Sequence, residues 1–110
     1  MSVRPVSFSA AGVHVLHEEG GHEGDVAWAD LGFNAAQRTA TIACPVCPSV
    51  STWPVGGGAD PEMGQRLFVH LVKRRQNKTW LQSLAIAKAL CDADEGPERW
   101  RLKGATEDLT

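Results

Sequence analysis

The chain has no tyrosine, an absence that accompanies its abundance of Ala, Gly, Val and Arg and carries no mechanism. It has no long apolar run. Nothing approaches the roughly 18 residues that a membrane-spanning helix needs, so no membrane role is expected. The opening stretch MSVRPVSFSAAGVHVLHEEGG has one early Arg and no continuous apolar region, so no secretory signal peptide is expected. There is no excess of one charge: 11 Lys and Arg stand against 13 Asp and Glu, which gives no global attraction to nucleic acid or anionic membranes. Three cysteines cannot form an even disulfide framework, which points to a reducing compartment: the cytoplasm, or for a phage component the host cytoplasm and the virion. The catalytic signatures H-E-x-x-H and G-x-S-x-G are missing, and GGGAD at 56–60 lacks the Lys-Ser/Thr that completes a phosphate-binding loop. No enzyme is expected.

What is present fits one small α+β domain over residues 1–102, followed by a tail at 103–110. The first half alternates as strands do. Val6 and Phe8 form one pattern, Val13 and Val15 a second, Val26 and Trp28 a third, and TATIAC at 39–44 resumes with β-branched residues. The polar EEGGHEG at 18–24 reads as a loop. These connections are too short for parallel crossovers, so one small antiparallel sheet of three to five strands is predicted.

The second half reads as two helices packed on one side of that sheet. Asp60 suits N-cap and Pro61 the first helical position. The first helix then runs to about Arg75, with Met63, Leu67, Phe68, Leu71 and Val72 on one face and Gln65, Arg66 and Lys73 opposite. Thr79 and Gln82 make a capping-box pattern for the second, whose stripe is Trp80, Leu84, Ala87 and Cys91. RWRL at 99–102 alternates and is predicted as a short final strand.

Chemistry concentrates in CPVC, residues 44–47. Two thiolates with two residues between them, in a turn after a strand, can share one ion, and Zn²⁺ suits soft sulfur in a small tetrahedral bite. His70 lies in the first predicted helix, at the border of its apolar face, and supplies a third candidate ligand. The fourth is sought among His14, His17, His22 and Cys91. His14 and His17 face opposite ways in a strand, so one of the two is expected, ahead of His22 in its loop and Cys91 on its core stripe. Cys44, Cys47 and His70 together resemble the two-cysteine, two-histidine zinc finger over residues 44–75, with a longer spacing between knuckle and helix. Lys73, Arg74 and Arg75 stand where that family has its second histidine. The resemblance implies a structural zinc.

CPVC also resembles the active-site stretch of glutaredoxin-type thiol oxidoreductases, in which the cysteines open a helix. Here PSVSTWP follows, and prolines with a β-branched run do not continue a helix. The expected function is therefore a small zinc-stabilised structural or interaction protein with protein partners, a component of a larger assembly such as a bacteriophage particle. The alternative is a nucleic-acid-binding zinc protein contacting phosphates through Lys73, Arg74, Arg75 and Lys78.

Overall fold

The computed structural model describes residues 3–56, 60–102 and 107. The tail predicted at 103–110 lies outside the described residues except for Glu107. Two antiparallel three-stranded sheets precede two helices, an α+β arrangement with two sheets where the pattern predicts one.

The first sheet is β1 (Val3–Phe8), β2 (Gly12–His17) and β3 (His22–Ala27) in that order. Val13 and Val15 are buried, and Val13 pairs with the buried Val26 of β3. The predicted loop at 18–24 shrinks to a turn over 18–21, closed by the Gly21 amide on the Glu18 carbonyl at 3.1 Å. Gly21 takes φ +64°, a conformation open to glycine at no steric cost. His22, Glu23 and Gly24 then join β3. The polarity of this stretch reflects a tight hairpin end and an exposed strand face, and not an irregular segment.

A turn of 3₁₀ helix (Trp28–Asp30) leads to the second sheet, β4 (Gly32–Asn34), β5 (Thr39–Ala43) and β6 (Val50–Pro54). Ala40 and Ile42 are buried, and Cys44 continues the same alternation one step beyond the strand. The sheets meet where β1 lies along β6: the Val3 amide donates to Ser51 Oγ at 2.7 Å, and Trp53 Nε1 donates to the Val3 carbonyl at 3.0 Å.

Helix α1 (Pro61–Gln76) starts at Asp60, whose carboxylate accepts from the Met63 amide at 3.2 Å, and stops at Asn77 in the left-handed conformation. Helix α2 (Trp80–Asp94) opens on the full Thr79–Gln82 capping box. Leu67, Phe68 and Leu71 enter the core, with Phe68 meeting Phe33 edge-on at 5.5 Å. Gln65, predicted on the polar face, is fully buried. It donates to the Arg99 carbonyl at 2.6 Å and accepts from the Arg101 amide at 2.8 Å. α1 is thus covered on a second side by the chain after α2. That segment is no strand: Pro97–Arg99 is a 3₁₀ turn, and its backbone is held by the Gln65 side chain instead of a sheet neighbour. No helix among the described residues is long and apolar enough to cross a membrane.

Candidate metal centre

Strand period 2 brings His17 to a His/Cys cluster that could hold a metal ion. It shares a face of β2 with the buried Val13 and Val15, and is itself buried. The hairpin register sets His22 directly across from His17, at the end of the β2–β3 pair. Their rings meet edge-on, with centroids 5.6 Å apart. Gly20, in the turn, allows this closeness: a Cβ there would lie 2.8 Å from His22 Nδ1 and 3.2 Å from His17 Nδ1.

The second sheet supplies the cysteines. The Cys44 amide donates to the Ser49 carbonyl at 2.8 Å, closing the turn between β5 and β6. The Val46 amide points at Cys44 Sγ from 3.4 Å, a weak N–H···S bond that helps fix the position of the sulfur. Pro45 lies over Gly24 of β3, where an added Cβ would be 3.0 Å from the proline ring. A side chain at position 24 would push the cysteine turn away from the hairpin.

Ligand atoms of His17, His22, Cys44 and Cys47 all lie within 4.8 Å of one another, close enough to bind one metal ion. Cys44 Sγ is 3.5 Å from His22 Nδ1, and Cys47 Sγ is 3.5 Å from His17 Nδ1. Glu19 Oε1 lies 3.6 Å from His17 Nε2, so a carboxylate faces the ring nitrogen turned away from the sulfurs and favours that orientation. Hydrogen bonds from the Ser49 side chain and backbone, with smaller ones from Cys44 and His22, lower the Cys47 thiol to about 6. The next regular element after the cysteines is strand β6, so no helix N-terminus activates them in the manner of a glutaredoxin.

His70 is elsewhere, which corrects its assignment as third ligand. It is fully buried among Phe8, Trp28 and Trp80, with ring centroids 5.1, 5.0 and 4.8 Å away. Its Nδ1 faces Arg74 Nη1 at 3.2 Å, and its Nε2 faces the Glu107 carboxylate. Nδ1 therefore accepts and Nε2–H donates, which is the neutral imidazole. Burial in this aromatic surround pushes His70 down to about 4, against the pull of Glu107 and with help from Arg74 and Arg66. The helical wheel puts His70 at the border of the apolar face; in the fold it is fully buried, and a wheel does not say which neighbours it meets.

His14 points away from the cluster, to the outer face of the first sheet. Its Nδ1 meets Asp25 at 2.8 Å and its Nε2 meets Glu23 at 2.7 Å, and these hydrogen bonds, Glu23 first, raise its pKa. Cys91 is a core residue, fully buried beside Gln65, and burial raises its thiol pKa. Of the basic patch, Arg74 lies on the Trp28 ring at 4.4 Å and bonds His70, while Arg75 donates to the Leu31 carbonyl. Lys78 is exposed and Lys73 half-buried. Arg74 and Arg75 line an open cleft of about 390 Å³ with Trp28 and Ala29.

The sequence ranks His22 below His14 and His17, yet the structure sets it in the cluster beside His17. The available signal was His17-Glu-Glu-Gly-Gly-His22: a Gly-Gly pair inside a four-residue turn makes the flanking histidines cross-strand neighbours on one face. The chain matches no protein-family model, and neither a curated protein nor a solved structure matches it.

Proposed function

We propose that His17, His22, Cys44 and Cys47 hold one structural Zn²⁺, and that the protein is a zinc-stabilised structural or interaction module working with protein partners in a larger assembly. The observation that carries the metal part of this reading is the convergence of two histidines from one sheet and two cysteines from the turn after β5, with the Cys44–His22 and Cys47–His17 S···N separations at 3.5 Å. Tetrahedral zinc with Zn–S about 2.3 Å and Zn–N about 2.0–2.1 Å requires S···N edges of about 3.6 Å. The Cys44–His22 and Cys47–His17 separations are close to that length, which supports the reading. Two sulfurs and two imidazoles in a tetrahedron favour zinc over the harder divalent ions.

Four protein ligands fill the tetrahedron and leave no position for a substrate, which favours a structural role over a catalytic one. The site joins a hairpin end of the first sheet to a turn of the second. Zinc there would act as a cross-link between the two sheets, and such sites contribute about 10–16 kcal/mol in small zinc-finger peptides. Metal analysis of purified protein should find one zinc per chain. Cobalt substitution should give the absorption of a tetrahedral thiolate complex. His22→Ala and Cys47→Ser should lose both signals, and His70→Ala should keep them. Loss of metal in His70→Ala with retention in His22→Ala would refute this ligand set.

A further inference from the structure

The turn that carries CPVC is built on the surface. Pro45, Val46 and Pro48 are exposed, and Val46 is 62% exposed. Strand β5 ends at Ala43 and β6 begins at Val50, so a shift of the turn's tip breaks no pairing between the strands. The two sulfurs belong to a group of ligand atoms that all lie within 4.8 Å of one another. Rotation of the two side chains, with a small movement of the tip, brings them to the roughly 2.05 Å of a disulfide. The two cysteines are not equivalent. Cys44 is 6% exposed and its sulfur is met by the Val46 amide, whereas Cys47 is half-buried and open to small solutes. The third cysteine is apart from both: Cys91 is fully buried on α2 beside Gln65.

We infer that Cys44 and Cys47 are a site of oxidative modification, at which a peroxide forms a Cys44–Cys47 disulfide, expels the zinc and so uncouples the two sheets. The inference rests on the zinc reading above. Cys47 Sγ attacks the peroxide first, because it is the accessible sulfur. An S–O bond forms, the O–O bond breaks, and the departing hydroxide takes a proton to become water, leaving Cys47 as a sulfenic acid. Cys44 Sγ then attacks the Cys47 sulfur. The S–S bond forms, the S–O bond breaks, and a second hydroxide leaves and is protonated. Two electrons have passed from the sulfurs to the peroxide, which ends as two waters. Metal binding needs thiolate sulfur, and a disulfide has none. His17 and His22 then remain as the only protein ligands, both on the first sheet, so the metal no longer joins that sheet to the cysteine turn. Cys91 takes no part, since the core shields it.

Hydrogen peroxide added to the zinc-loaded protein tests this. Zinc content is measured first, release is followed with a chromophoric chelator, and peptide mapping by mass locates the products. One zinc per chain should be released, with a disulfide between Cys44 and Cys47 and a free thiol at Cys91. Dithiothreitol followed by zinc should restore the starting protein. In Cys44→Ser the reaction should stop at a Cys47 sulfenic acid that dimedone traps, and that sulfur should react about tenfold faster than Cys44 does in Cys47→Ser, following exposure. Cys91→Ala should release zinc as the wild type does. A protein that carries zinc and keeps it in peroxide overturns the inference and leaves the zinc reading standing. Release without a Cys44–Cys47 disulfide also overturns it. A protein that carries no zinc before peroxide is added defeats the zinc reading itself, and this inference with it.

Discussion

Removing the His22 imbidazole separates a metal ligand from a packing residue. His22 is only half-buried, and its contacts include Cys44 Sγ at 3.5 Å, the Cys47 thiol and the His17 ring. Without metal, His22→Ala removes little packing and should cost about 0.5 kcal/mol, the scale of a surface substitution. With metal it removes one of four ligands. Free zinc at 100 times its dissociation constant stabilises the wild type by about 2.7 kcal/mol, which for a domain near this size raises the melting temperature by about 10 °C. The assay is thermal unfolding of both proteins, each in zinc and in chelator. Wild type should gain about 10 °C from zinc, His22→Ala should gain little, and the two should melt within 2–3 °C of each other in chelator, by the same conversion. Equal melting of the wild type with and without zinc would refute the metal argument. A His22→Ala deficit of the same size in chelator would show that the side chain acts by packing alone.

Three further outcomes follow from the geometry. Gly20→Ala places a methyl group 2.8 Å from His22 Nδ1, so it should lower zinc affinity at least tenfold, read by competition with a chromophoric chelator, while circular dichroism stays unchanged. His70 is free at 6.5 and lowered to about 4 in the fold, so the unfolded chain binds the extra proton first. Its contribution is fully present above pH 6.5 and is lost as pH falls towards 4, amounting to about 3 kcal/mol at 1.36 kcal/mol per pH unit. Urea unfolding at pH 7 and pH 4.5 should show a smaller pH-dependent loss in His70→Gln than in wild type. Arg74→Ala removes the stack on Trp28 and the bond to His70, and should cost about 1–2 kcal/mol of stability. Nucleic-acid binding that falls steeply with salt, and less steeply in Arg74→Ala with Arg75→Ala, would instead support the phosphate-contacting reading of this patch.

Much of the local structure was legible because its causes are local. Asp60 before Pro61, and Thr79 three residues before Gln82, mark helix starts through hydrogen bonds that close within one turn. Val13 and Val15 alternate because one face of β2 is buried. CPVC announces paired sulfur by spacing alone. Three expectations failed where a distant partner decides. EEGGHEG looks irregular until β2 gives His22, Glu23 and Gly24 a strand to pair with. Gln65 belongs to a polar face until the chain after α2 covers it and uses both ends of its amide. RWRL alternates, yet it meets the Gln65 side chain and no sheet edge.

The candidate metal centre divides in the same way. By itself the sequence determined that Cys44 and Cys47 can share an ion and that His14 and His17 face opposite sides of a strand, since both follow from backbone period and spacing. Which histidines complete the cluster was decided only by the tertiary structure. The β2–β3 hairpin set His22 opposite His17, the side-chain-free Gly24 let Pro45 approach, and the two sheets brought hairpin and cysteine turn together. His70 had the right residue type and a helix to sit on, but α1 turns it towards Phe8, Trp28 and Trp80, where the neutral ring is buried and its two nitrogens are taken by Arg74 and Glu107.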